Sequence, residues 1–340
     1  MVSSLPRICR DLRRISLRGL PEDPVVIAAA SEMLLTCNQN TLQKFDVDCP
    51  LTKEAREVLF RLPNLSILHS FLEGSTVLPP ISLPNLVKMH LRYVNGHAWL
   101  QGFLKAGLRK LKFVSFQTIS PQVGNFLEAF EAVALATSLS TSLSSFMFVS
   151  LHPWNPNYSS LLTFKQLTTL LIGNPCRVRC SSTVDDDILI NLARAMPMMK
   201  VLQLGSEPCG FLSGVTVRGL VELGCHCTDL STLRVHIRMD SLVQAGDDDA
   251  TTPPPHDEPA TPRVECSLTT LEVGNLLIPD DSEVMVALAI LHIFPRIKNI
   301  KYTNYRWRNV DNIIKLSARL STRIGALVRA SSKASPNMSR

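Results

Sequence analysis

The side chains best equipped for chemistry are few and scattered. Cys225, His226 and Cys227 lie together, and Cys176 and Cys180 flank Arg177, Val178 and Arg179. A structural zinc site needs four ligands, typically in paired Cys-x-x-Cys units. These spacings do not fit, and Cys225 and Cys227 would point to opposite faces of an extended chain. A nucleophilic cysteine needs a lowered pKa and a third group that orients its base, and the sequence offers none nearby. Asp185, Asp186 and Asp187 could suggest a metal, but acids there also complement the N-terminus of a following helix. The fifteen glycines are dispersed, and no GxxxxGK, HExxH or GxSxG occurs. The expectation is a protein that is not an enzyme, holds no cofactor or metal, and binds through a surface.

Such a surface needs a scaffold. The chain has 340 residues, of which 45% are hydrophobic and 19% charged, with a mean hydropathy of +0.13. That composition excludes a disordered chain, which needs low hydrophobicity and high charge. The longest nearly unbroken apolar run is Val284 to Phe294, far short of the roughly 20 residues that span a bilayer. The apolar residues must therefore fill a core. Leu occurs 50 times, against 13 Phe, 4 Tyr and 3 Trp, so the core should be repetitive. The N-terminus is polar, carries Arg7 and Arg10, and has no apolar signal core. This predicts a reducing, cytoplasmic or nuclear compartment with free, buried thiols.

One pattern recurs along the chain: an apolar residue, two others, an apolar residue, one other, an apolar residue. It begins at Leu12, Leu42, Leu65, Leu86, Leu108, Leu143, Leu167, Met199, Leu230, Leu268 and Ile297, a mean spacing of 28.5 residues. Its last two apolar positions are two apart and so share one face of a short strand. Between the copies lie stretches with helical spacing, at Val25–Leu35, Lys53–Leu62, Gln122–Leu135, Asp185–Met196, Val215–Leu223 and Ser282–Phe294. One strand and one helix per unit is the leucine-rich repeat. The predicted fold is an α/β leucine-rich-repeat solenoid, with a curved parallel sheet on the concave side and helices on the convex side. It forms one domain over residues 1–330 with about eleven degenerate repeats.

The stretches Leu12–Leu20, Val217–Ile237, Leu268–Asn275 and the closing Ile278–Ile297 with Trp307 and Val310–Leu316 resemble fungal F-box proteins with a C-terminal leucine-rich-repeat region. The resemblance implies substrate recognition for a cullin-type ubiquitin ligase. In that family an F-box precedes the repeats and docks on the ligase adaptor. Leu5-Pro6 could open one, yet Arg7–Leu20 already reads as the first repeat strand. The adaptor is thus expected as a partner only if an F-box is supplied upstream. A free-standing repeat scaffold without ligase contact is the alternative, and an enzyme of unknown class a remote one.

In a solenoid the outward strand positions line the surface that usually binds. In the register read above they include Lys88, His90 and Arg92 in copy four and Lys110, Lys112 and Val114 in copy five. Copies six and seven add Ser145, Met147, Val149, Thr169, Leu171 and Gly173. Five basic residues on adjacent strands, about 4.8 Å apart, would repel one another. An acidic or phosphorylated protein segment would neutralise them. Met147, Val149 and Leu171 form an apolar stretch beside them, open to an anchoring side chain or covered by the loop around Trp154. The candidate protein-binding site is Lys88, His90, Arg92, Lys110, Lys112, Met147, Val149 and Leu171.

The net charge of +6 sits at the edges of the chain. Residues 1–20 and 319–340 are basic, and 245–263 is acidic and Pro-rich. The acidic stretch lacks large apolar side chains and reads as a disordered loop. Residues 331–340 read as a disordered basic tail. Nothing in this distribution calls for nucleic acid or membrane as a partner.

Overall fold

The computed structural model describes residues 11–19, 23–72, 81–93, 108–118, 126–137, 139–151, 156–173, 184–205, 214–238, 240, 243, 266–274, 276–302 and 304–333. Eleven strands form one open, all-parallel sheet in strict sequence order. They are β1 Arg14–Leu17, β2 Lys44–Val47, β3 Ile67–Leu72, β4 Lys88–Tyr93, β5 Phe113–Thr118 and β6 Ser145–Ser150. There follow β7 Thr169–Gly173, β8 Val201–Leu204, β9 Thr232–Arg234, β10 Thr270–Gly274 and β11 Asn299–Tyr302. Helices occupy the connections: α1 Pro24–Thr36, α2 Lys53–Leu59, α3 Phe126–Thr137, α4 Leu139–Ser142, α5 Asp186–Ala195, α6 Val217–His226, α7 Glu283–Ile293 and α8 Trp307–Lys333. This is a leucine-rich-repeat solenoid. Among the described residues no helix is long and apolar enough to cross a membrane.

Each repeat is tied to the next by the same device. The carbonyl just before a strand accepts two successive N–H groups from the next repeat. Arg13, Gln43, Ser66, Val87, Lys112, Ser144, Thr168, Lys200, Ser231 and Thr269 all do so, with N···O distances of 2.8–3.2 Å. At Ser66, Ser144, Thr168, Ser231 and Thr269 the residue's own hydroxyl also donates to the preceding carbonyl of the series.

The alternate strand residues enter a single core. Ile15, Phe45, Leu68, Met89, Val114, Phe146, Leu170, Leu202, Leu233, Leu271 and Ile300 are all buried. Helix starts follow local chemistry. Thr52 and Asp185 accept hydrogen bonds from Ala55 N and Ile188 N, three residues on, which satisfies otherwise orphaned donors. Asp186 reaches across to the next repeat and accepts from Thr216 N and Oγ1 at 2.7 and 2.6 Å, fixing the start of α6. A side chain at Gly219 would run into Asp186, so glycine there lets the two helices approach. The helix expected at Val215–Leu223 begins at Val217 and runs on to His226.

The core is not a uniform leucine ladder. Phe116, Phe126, Phe130, Phe146, Phe148 and Phe164 gather under β5–β7, with ring centroids 4.4–6.3 Å apart. The last strand is sealed by α8. Its Trp307, Val310 and Ile314 are fully buried, and Trp307 Nε1 donates to the carbonyl of Leu276 at 2.8 Å. The acidic stretch 245–263 and residues 334–340 lie outside the described residues; residues 331–333, expected in the tail, end α8.

Phe130 is the hub of the aromatic cluster, so Phe130→Ala should cost about 3–5 kcal/mol. The check is the shift in urea midpoint at unchanged slope.

Candidate functional site

Strand residues that avoid the core point to the face without helices, where the pairing arranges them in rows. The central row reads Ser16, Asp46, His69, His90, Ser115, Met147, Leu171, Gln203, Arg234, Glu272 and Lys301. A second row contains Lys88, Phe113, Ser145, Thr169 and Val201, and a third contains Arg92, Gln117, Val149 and Gly173.

Two of the expected residues are placed elsewhere. Lys110 and Lys112 stand in the exposed turn before β5, not on its face. The partners of Lys88, His90 and Arg92 are Phe113, Ser115 and Gln117, and Val114 is fully buried. Copy five runs Leu111, Val114, Phe116, three residues beyond the reading from Leu108. The reason is a repeated spacing of three: Leu108 and Leu111 are both core residues, and Phe113 imitates the last apolar position. The N–H groups of Lys112 and Phe113 on the carbonyl of Val87 decide the register. Lys110 Nζ donates to Asn85 Oδ1 at 2.7 Å. The other expected residues, Lys88, His90, Arg92, Met147, Val149 and Leu171, do share the face; Trp154 lies outside the described residues.

Sequence reasoning missed two buried carboxylates on that face. Asp46 is 1% exposed yet faces a cage of donors. Arg18 Nε reaches both of its oxygens at 3.1 Å, Arg18 Nη2 one at 2.7 Å, Lys44 Nζ one at 3.2 Å and His69 Nδ1 the other at 2.8 Å. Burial by itself raises the Asp46 pKa; hydrogen bonds from Arg18 and Lys44, with the field of His69, outweigh it and hold the carboxyl at about 2. At the far end Glu272 is held by Arg234, whose Nε is 2.7 Å away, and by Lys301 Nζ at 2.6 Å. Burial again opposes these partners and loses, so the Glu272 pKa is lowered. The available signal was an acid at the fifth position of a copy, with bases at outward positions of that copy or its neighbours.

His69 and His90 are neighbours on β3 and β4, with ring centroids 4.2 Å apart and edge to face. Burial lowers the pKa of both. For His90 the charges of His69 and Arg92 add to it, bringing the value to about 4. Both rings are therefore neutral at pH 7. His69 donates from Nδ1 to Asp46, which leaves Nε2 as a buried acceptor with no hydrogen-bond partner among the described residues. Ser115 Oγ, on the far side of His90 in the same row, is likewise buried without one.

The cationic charge of the face is thus unevenly spent. Arg18, Lys44, Arg234 and Lys301 are paired with Asp46 or Glu272. No carboxylate among the described residues pairs with Lys88 or Arg92. Beside these two cations lies the neutral centre of the face, with Phe113, Met147, Val149, Leu171 and Val201 all half-buried.

The described cysteines have no part in this face. Cys227 Sγ lies 3.5 Å from the carbonyl of Met196, and Cys266 Sγ 3.5 Å from that of Cys227. Burial drives the Cys227 thiol up to about 12 and raises that of Cys225. Both are held protonated, the opposite of a nucleophile. Cys176 and Cys180 lie outside the described residues.

No protein-family model matches the chain, and no curated protein matches it. In the crystal structure of the Rad7 and Elc1 complex in yeast, one chain aligns with 91% of this chain and 78% of its own length, at 14% identity and a TM-score of 0.42. At that identity and score the likeness carries no argument about function.

Two consequences follow for stability. His90 binds its proton less tightly folded than unfolded, so stability falls as pH drops from 6.5 towards about 4. The slope is at most about 1.4 kcal/mol per pH unit from this group. His90→Gln should flatten that part of a urea-midpoint-against-pH profile; an unchanged slope would sink the assignment. Asp46→Ala should cost about 1–2 kcal/mol at pH 7, less than a fully buried pair, because Arg18 is 64% exposed and can turn to water. That cost should shrink as pH falls from 3.8 to about 2, where the wild-type carboxyl also protonates.

Proposed function

We propose that this chain recognises other proteins through the helix-free face of its sheet, as the substrate-binding repeat region of an F-box-type ubiquitin ligase receptor. The observation that carries recognition is the pairing of charge on that face. Cations at its two ends are neutralised by Asp46 and Glu272, while no carboxylate among the described residues compensates Lys88 and Arg92 beside an apolar centre. Apolar residues give a protein partner its anchor, and unpaired cations give it orientation and selectivity. The stretches resembling fungal F-box proteins support the ligase assignment.

The partner is an extended segment with an apolar side chain and an acidic or phosphorylated one. Arg92 on β4 and Met147 on β6 are two strands and two residues apart, about 12 Å, which an extended chain crosses in about three to four residues. The apolar anchor should therefore sit about three to four residues from the acid.

Selection of displayed peptides on the whole chain tests this. Enriched peptides should carry an apolar residue and Asp or Glu at that spacing. Met147→Asp or Arg92→Glu should weaken them by about tenfold or more, whereas Lys110→Glu with Lys112→Glu should not. Equal loss from Arg92→Glu and from the Lys110→Glu, Lys112→Glu pair would move the site to the turn edge. Co-purification of the chain, extended upstream where the gene provides it, with a ligase adaptor and cullin tests the second half of the proposal.

A further inference from the structure

The closing helix does two jobs, and only one of them serves the solenoid. α8 spans 27 residues, about 40 Å. Its first turns cap the core through Trp307, Val310 and Ile314. Asp311 fixes that contact: it accepts from Ile300 N at 3.2 Å and from Lys315 Nζ at 2.5 Å. Beyond Ile314, no described α8 side chain is buried. The residues that continue the core-facing side are small; Ser317 and Ala318 line a half-open cleft of about 470 Å³ against Leu291, Pro295 and Ile297.

The apolar pattern nevertheless continues on another side. Leu316, Leu320 and Ile324 are 57%, 50% and 59% exposed. With half-buried Ile313 before them, they form one stripe at spacings of three and four. At 100° per residue this stripe is about 80° wide and lies about 120° round the helix from the capping residues. Arg319 and Arg323 are exposed along one flank, and no Asp or Glu occurs from residue 312 to 340. An apolar helix face left in water is a binding surface or a liability, and a helix is stabilised chiefly by packing of such a face.

We propose that this outer face of α8 docks an acidic amphipathic helix of a partner protein, at a site separate from the sheet face. Width and charge select this occupant. A stripe this narrow is the seam of a two-helix contact: Ile313, Leu316 and Leu320 fall in successive heptad positions, and Ile324 lies beside the next, which Arg323 takes at the edge of the stripe. A helix lying in a lipid surface shows a broader apolar face with aromatic anchors, and no Phe, Tyr or Trp occurs after Trp307. Arg319 and Arg323 set the sign, requiring carboxylates along the edge of the incoming helix. A second copy of the same basic helix would repel.

The probe is a synthetic three-heptad peptide with Leu at the seam positions and Glu at the flanking ones, titrated into the full chain by fluorescence anisotropy at low and high salt. A Lys-flanked twin and vesicles of phosphatidylcholine with phosphatidylserine run beside it. Saturable binding of the Glu peptide, weakened by salt and absent for the Lys twin, supports the proposal. The triple variant Leu316→Glu, Leu320→Glu, Ile324→Glu should then lose about tenfold or more in affinity. Because these residues are exposed, its thermal unfolding by circular dichroism should match wild type. Failure of the Glu peptide to bind, equal binding of both peptides, equal affinity of the variant, or binding to vesicles alone would overturn the proposal. Peptide selection on the sheet face should be unaffected by the variant, so the two sites are tested separately.

Discussion

One carbonyl per repeat holds the register of this molecule. From Arg13 to Thr269, ten such oxygens each accept two consecutive N–H groups from the following repeat. A parallel strand pair slipped by one residue would turn its apolar set out of the core, and this ladder prevents the slip at every step. Because the device is backbone chemistry, the side chain at that position is free to vary: it is Arg, Gln, Ser, Val, Lys or Thr along the series. The row of strand residues on the open face is as regular as the ladder beneath it, which turns isolated polar residues into a mapped surface.

On that surface charge is divided by position. A buried carboxylate is costly unless its partners outweigh its desolvation. Asp46 and Glu272 meet that condition because parallel strands bring bases from repeats 23–38 residues away to hydrogen-bonding distance, with Lys44 added from Asp46's own strand. These ion clusters brace the two ends of the sheet and consume the local cations. Among the described residues the centre has no acid of its own, and no carboxylate pairs with Lys88 or Arg92 beside Met147 and Leu171. Structural and recognition roles are thus separated along a single row, and the boundary falls near His90, kept neutral by burial between a carboxylate cluster and an arginine.

Periodicity made most of the scaffold legible. Ten of the eleven copies stand in the register their apolar residues indicate, and the helices at Val25–Leu35, Lys53–Leu62 and Asp185–Met196 match observed elements to within a few residues. Copy five failed for a definite reason: leucines three apart offer two phases, and local pattern cannot choose between Leu108 and Leu111. That single slip moved Lys110 and Lys112 onto a face they do not occupy. The aromatic cluster around Phe130 was hidden for a different reason, since its members come from two strands, a helix and a turn with no common spacing.

By itself the sequence determined the class of fold, the direction of most strand residues and the lack of any motif that would make the cysteines reactive, because these depend on local period and residue type. Only the tertiary structure decided which charges meet. Whether Asp46 is a solvated face residue or a caged carboxylate depends on Arg18 and His69 arriving from the repeats on either side to join Lys44 of its own strand. Whether Leu316, Leu320 and Ile324 are core or surface depends on where the last strand ends. Distances across strands and helix faces set those outcomes, and a linear pattern carries no measure of them.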